Sequence, residues 1–226
     1  MKLFGIIVAG GGGRRFGTLQ PKQFQLLAGR PMLMHPIATF YKAVPGIQLI
    51  VVLPEEYIPV WKKLCIDYQF DIPHSLINGG PERFHSVKRG LSLVVGDGLV
   101  AIHDGARPLV SPAIITEAIR MAKISRAVLP AVVPSDSVRQ VIGNTNKPMV
   151  REELRLIQTP QVFDISLIKK AYLQNYHPSF TDDATVVESI GISVSLIEGG
   201  HENIKITRPA DLLLAEALLN AMYKRF

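Results

Sequence analysis

Short apolar runs rich in Val and Ile recur along this chain with helix-length segments between them: Leu3–Val8, Gln48–Leu53, Leu99–His103 and Ala127–Val133. Runs of this length without polar alternation read as strands buried on both faces, the condition of a parallel sheet. The intervening segments, Met32–Ala43, Tyr57–Gln69, Phe84–Val94 and Pro112–Lys123, read as helices; the last has Ser111 as N-cap and Pro at its first position. Alternating strand and helix define an α/β chain, and right-handed crossovers wind it into a doubly wound, mostly parallel sheet. Beyond residue 160 the pattern predicts helices at Asp164–Asn175, Asp182–Ile190 and Asp211–Lys224, with strands at Ser193–Ile197 and Asn203–Thr207.

Between Pro134 and Thr159 the rhythm changes. Ser135, Asp136, Gly143, Asn144 and Asn146 interrupt short alternating pieces such as Ser137–Ile142, the pattern of a protruding β-arm at about 134–159. The rest of 1–226 fits one domain, without repeat, linker or low-complexity tract. Twenty-five basic against nineteen acidic residues leave a charge of +6, and the basic residues lie in short loops rather than runs. That distribution suits small anionic substrates better than nucleic acid, which is not an expected partner. The lone Cys65 excludes an intramolecular disulfide and a cysteine metal cluster, so a cytoplasmic setting is expected. His35, His74, His85, His103, His177 and His201 lack metal spacing, which argues against zinc. Leu3–Val8 is too short for a signal peptide, and no apolar stretch approaches the ~18 residues that span a bilayer, so no membrane partner is expected.

The first strand runs into Ala9, Gly10, Gly11, Gly12 and Gly13, then Arg14 and Arg15, and Pro21-Lys22-Gln23 follows. Without side chains, consecutive backbone amides can approach an anion and form a nest, and Arg15 and Lys22 add two cations for a triphosphate. Two common motifs do not apply. Phe16 stands where a dinucleotide fingerprint needs Gly or Ala, and no Gly-Lys-Ser/Thr tail exists for a P-loop. Ligands of open parallel sheets sit beyond the carboxyl ends of the strands. Ala9–Lys22 and Asp104–Arg107 each follow an expected strand, as do Arg208 and Pro209 behind Lys205.

The glycine loop with its Pro-Lys-Gln resembles the signature of sugar-phosphate nucleotidylyltransferases. Gly79–Val87, His103–Pro108 and Asn203–Pro209, with Gln158–Gln161 and Thr181–Ala184, narrow the resemblance to the 2-C-methyl-D-erythritol 4-phosphate cytidylyltransferases. It implies a Rossmann-like sheet of the nucleotidyltransferase type and CTP as substrate. Ala9, Gly10, Gly11, Gly13, Arg15 and Lys22 then fall on nucleotide positions, Gly80 and Ser86 on the cytosine site, and Gly105 beside the ribose. Asp104 falls on the position that holds Mg²⁺ and contacts substrate. Arg107, Ser137, Arg151, Thr159, Thr181 and Lys205 fall on the sugar-phosphate positions. The resemblance further implies a homodimer that exchanges the arm, so that Arg151 and Ser137 serve the neighbouring subunit. Gly105 stands where the family usually has Ala, Pro81 where Asp is common and Ser137 where Thr is common. Pro81 has no N–H to offer a base.

A sugar phosphate, with a second pKa near ~6, is mostly dianionic at neutral pH and can attack the α-phosphorus of CTP without a general base. The obstacle is charge, so placed cations should dominate, with Lys22, Lys205 and Arg15 as the catalytic set. Each residue also has a plainer reading: Asp104 as a turn residue before Gly, Lys205 as a solvent-facing strand lysine, Glu82 with Arg83 as a local ion pair, and Cys65, Trp61 and Phe24 as packing. Two rival functions share these features. A D-ribitol 5-phosphate cytidylyltransferase has much the same loop but matches Thr181-Asp182-Asp183-Ala184 less well. A nucleotide-sensing domain would not need both lysines and the acid.

Overall fold

The computed structural model describes residues 1–10 and 21–223, with only the backbone described at 222 and 223. In chain order it contains β1 (Lys2–Val8), a small hairpin of β2 (Leu26–Leu27) and β3 (Arg30–Pro31), α1 (Met34–Ala43), β4 (Gln48–Leu53), α2 (Ile58–Asp67), β5 (Ser75–Asn78) and α3 (Arg83–Ser92). Then come β6 (Gly98–Asp104), α4 (Pro112–Ser125), β7 (Ala127–Val132), a second hairpin of β8 (Arg139–Ile142) and β9 (Thr145–Pro148), β10 (Leu156–Ile157) and β11 (Gln161–Asp164). The chain continues through α5 (Ile165–Ala171), α6 (Asp183–Glu188), β12 (Ser195–Glu198) and α7 (Pro209–Tyr223).

The main sheet runs β10-β7-β11-β6-β1-β4-β5, with β12 also on β7. The β1/β4, β1/β6, β4/β5 and β12/β7 pairs are parallel. Successive residues of a strand point to opposite faces, and both faces here are covered. Ile7, Leu49, Val51 and Ala101 pack with Phe40 of α1, Trp61 of α2 and Ile115 of α4. Phe4, Ile6, Ile50 and Val52 pack with Val87 of α3, Ile168 of α5 and Val187 of α6. Every residue of β6 is buried, as its place at the centre of a sheet covered on both faces requires. The expected doubly wound α/β sheet is therefore the observed one. Ser111 caps α4, its hydroxyl accepting from the Ile114 amide at 3.2 Å with Pro112 behind it.

Two expectations need correction. Asn203–Thr207 is not a strand: the Ile206 amide reaches the Ala106 carbonyl at 2.8 Å, and the segment otherwise runs free of the sheet. Its Ile alternation reflects burial of Ile206 with Leu27, Met32, Ala215 and Leu219 under α7. The arm is shorter than 134–159, because Leu156 and Ile157 already pair with Val132 and Ala131 of the main sheet. One strand that the sequence pattern did not mark, β11, runs antiparallel between β6 and β7. It is too short, at four residues, to show as an apolar run. Both β10 and β11 pair with β7, and Thr159 between them accepts from the Asp104 amide at the carboxyl end of β6.

Candidate active site

The ends of β1, β4, β5 and β6 meet at one edge. The Ala9 amide donates to the Val52 carbonyl at 2.9 Å, the Gly79 amide to the Leu53 carbonyl at 2.7 Å and the Gly105 amide to the Val8 carbonyl at 2.8 Å. Ser86, buried on α3, accepts from the Gly80 amide at 3.1 Å. A Cβ placed on Gly80 would lie 2.3 Å from His85 Cβ, so only glycine fits that turn; one on Gly10 would lie 3.4 Å from Ser86 Oγ. At position 105 a Cβ would stand 2.9 Å from Leu33 Cδ1 and 3.1 Å from Ala9 Cβ, so Gly105 packs closely against the start of the glycine loop. Ala9, Gly10, Gly80, Ser86 and Gly105 are thus brought together. At this expected cytosine site the Gly80 amide is bonded to Ser86. Gly11, Gly13 and Arg15 lie outside the described residues.

Asp104 ends β6 and is largely buried. Its Oδ2 pairs with Lys205 Nζ at 2.8 Å and its Oδ1 accepts from Arg83 Nε at 3.2 Å. Burial pushes the Asp104 carboxyl up, but Arg83 and then Lys205 outweigh it and hold the group well below the usual carboxylate range. Its amide donates to Thr159 Oγ1 at 3.1 Å. That hydroxyl lies 3.0 Å from His103 Nδ1, and His103 Nε2 lies 3.0 Å from the Arg107 carbonyl. Burial lowers the His103 pKa to about 4. A neutral imidazole with its proton on Nε2 accepts from Thr159 and donates to Arg107, which satisfies the whole chain. Thr159, carried over as a substrate contact, therefore spends its hydroxyl on the Asp104 backbone.

The extended stretch around Lys205 is fixed by side chains instead of a ladder. Fully buried Asn203 donates to Gln158 Oε1 at 3.2 Å and to the Thr159 carbonyl at 2.9 Å. Arg107 donates to the Asn203 carbonyl at 2.7 Å, so it braces this stretch. Lys22 Nζ donates to the Ile206 carbonyl at 3.2 Å, one residue from Lys205. The two lysines and the carboxylate thus share one edge; Lys205 is exposed, as its plainer reading has it, but its ammonium is paired with Asp104.

Other expected residues stand elsewhere. Arg151 is exposed, donating to the Ser135 carbonyl at 3.0 Å and pairing with Glu152 at 3.3 Å. Ser137 and Arg151 line a groove at the base of the arm with Val138, Met149 and Val150. No contact joins either to Asp104 or Lys205 among the described residues. Thr181 is exposed just before α6. Cys65 is packed against the core, and burial raises its thiol to about 11, unsuited to a nucleophile.

Arg83 is the residue that sequence reasoning assigned wrongly. Its partner is not Glu82: Nη2 lies 2.6 Å from Asp183 Oδ2, and Tyr172 Oη donates to Asp183 Oδ1 at 2.6 Å. Burial lowers the Arg83 pKa, but Asp183 and Asp104 carry it well above the ordinary value. Asp183 lies one hundred positions along the chain, so nothing local signals the pair.

No group of three or more metal-ligating side chains occurs among the described residues. Mg²⁺ does not require one, since it is usually held by one or two carboxylates together with water and substrate phosphates. Asp104 fits that single-carboxylate role, provided that Oδ2 exchanges Lys205 for the ion.

A doubly wound sheet whose carboxyl edge gathers a glycine turn, two lysines and a buried carboxylate is the architecture of an α/β nucleotidyltransferase. The sequence profile of 2-C-methyl-D-erythritol 4-phosphate cytidylyltransferase matches residues 3–221, and the chain belongs to that family. The enzyme of that name from Bacteroides fragilis is 47% identical over 214 residues, covering 95% of this chain and 98% of its own. Its counterpart from Bacteroides thetaiotaomicron is 47% identical over 219 residues, covering 97% and 100%. The crystal structure of the Thermus thermophilus enzyme superposes with a TM-score of 0.78 at 31% identity, over 96% of this chain and 98% of its own. Among the described residues no helix is long and apolar enough to cross a membrane.

Proposed function

We infer that the chain transfers CMP from CTP to 2-C-methyl-D-erythritol 4-phosphate and releases pyrophosphate, a step of the non-mevalonate isoprenoid pathway. The observation that carries this reading, beside family membership, is the meeting of Lys22, Lys205 and Asp104 at one sheet edge. Those residues supply charge where an α-phosphorus changes hands, and no nucleophilic side chain is required.

In this reading Ala9, Gly10, Gly11, Gly13, Arg15 and Lys22 hold the triphosphate, while Gly80, Ser86 and Gly105 shape the base and ribose site. Lys22, Lys205 and Arg15 are the catalytic cations. Asp104 would hold Mg²⁺, which when bound supplies positive charge to the phosphate oxygens. Arg107, Ser137, Arg151, Thr159, Thr181 and Lys205 form or support the sugar-phosphate site; Arg107 and Thr159 act by bracing Lys205 and Asp104. Among the described residues Arg151 and Ser137 make no contact with Asp104 or Lys205, which supports a homodimer in which they serve the neighbouring subunit. Residues 1–226 work as one nucleotidylyltransferase domain with a dimerisation arm. A single, core-packed cysteine supports a reducing, cytoplasmic setting.

Pyrophosphate release from CTP and Mg²⁺, with 2-C-methyl-D-erythritol 4-phosphate and D-ribitol 5-phosphate side by side, tests the reading. Faster turnover of the erythritol substrate is expected. Faster turnover of the ribitol substrate would reverse the choice of sugar, and binding of CTP without release from either would point to a nucleotide sensor.

A further inference from the structure

We propose that Arg83 is a positioning residue for the reaction, held by Asp183 and Tyr172 so that it fixes the Asp104 carboxylate in register with Lys205. The inference rests on the cytidylyltransferase reading and assigns a task to a side chain outside the site residues named there. Asp104 has two oxygens and two cationic partners: Arg83 Nε takes Oδ1 at 3.2 Å and Lys205 Nζ takes Oδ2 at 2.8 Å. The backbone around Lys205 is fixed, but its long side chain is 44% exposed and reaches one carboxylate oxygen only, so it leaves the rotation of the carboxylate to be set from the other oxygen. Arg83 sets it, because its other end is anchored. Its Nη2 is 2.6 Å from Asp183, whose side chain is 0% exposed, and Tyr172 Oη holds the second Asp183 oxygen at 2.6 Å. Asp183 is fixed in turn as the first residue of α6, behind Asp182 in a complete capping box. The planar guanidinium, with donors in a fixed fork, transmits that rigidity to Oδ1. Oδ2 is thereby left facing Lys205, free to exchange it for another cation without rotation of the carboxylate. Outer partners of this kind orient the groups that meet substrate without touching it themselves.

The test is a double-variant cycle on turnover. Arg83→Gln is expected to lower kcat by about 10- to 100-fold with little change in KM for CTP, and Arg83→Lys to recover part of the loss. In a Lys205→Ala background the same Arg83→Gln change should cost less than about threefold, because the pairing it supports is already gone. A merely structural role would lower both backgrounds by the same factor, and equal factors with an active wild type overturn the proposal. Should Arg83→Gln not fold, Tyr172→Phe runs the same cycle: it loosens Asp183 only, and a smaller loss that again vanishes with Lys205→Ala is expected, while a loss of equal factor in both backgrounds overturns the proposal. A wild-type chain that releases no pyrophosphate overturns the functional reading and the positioning role together.

Discussion

Charge at single side chains separates the functional reading from the plainer ones. Lys22 and Lys205 approach neighbouring points of the chain, the Ile206 carbonyl at 3.2 Å and Asp104 at 2.8 Å. Removing a placed donor to a developing negative charge costs about a hundred- to a thousandfold in turnover. Lys22→Ala and Lys205→Ala are each expected to lose at least a hundredfold in kcat with the thermal midpoint nearly unchanged; near-wild-type turnover in either would sink the assignment. The short strings around Lys22, Asp104 and Lys205 stand out in the sequence, although the stretch that carries Lys205 is not the expected strand. Arg83 does not, since its meaning lies in Asp183 and Tyr172, about ninety to a hundred positions away. Thr159 shows the opposite failure: its place at the site was legible, but the direction of its hydroxyl toward Asp104 and His103 was not.

Elements were legible where they were long or chemically marked at their ends. Helix α4 announces itself through Ser111-Pro112, and Ser111→Ala is expected to cost about 1 kcal/mol in urea unfolding with kcat unchanged. A loss within experimental error would mean that the cap carries no stability. Strand β11 offered no such mark, and its antiparallel course depends on partners rather than on its own four residues. The stretch 203–207 alternates like a strand because burial under α7 imposes the same period on an irregular chain. On the arm, Val141 is 72% and Ile142 56% exposed, apolar surface that an isolated hairpin has no reason to keep. Val141→Asp combined with Ile142→Asp is therefore expected to give a folded monomer with turnover reduced at least tenfold, as sedimentation and the pyrophosphate assay would read. A dimer that persists, or a fully active monomer, would refute arm exchange.

At the scale of the molecule, stability responds to groups buried without their charge. Burial lowers the His35 imidazole below its ordinary 6.5, outweighing the Leu27 carbonyl it meets at 2.9 Å. Below about pH 6.5 the unfolded chain takes up a proton that the folded one resists, so this contribution is present above that value and is lost as pH falls. The urea midpoint of the wild type should accordingly drop more steeply from pH 7 to pH 5 than that of His35→Asn; parallel slopes would exclude the effect. The doubly wound plan was legible as a whole, whereas the strand order was not, because β6 takes its second neighbour from beyond the arm. That order has a consequence for synthesis. A ribosome delivers β1, β4, β5 and β6 first, and about sixty residues more must emerge before β11 can close the flank of β6. Until then a strand that is buried along its whole length in the finished sheet presents a bare ladder of amides and carbonyls, a template on which a second nascent chain can pair.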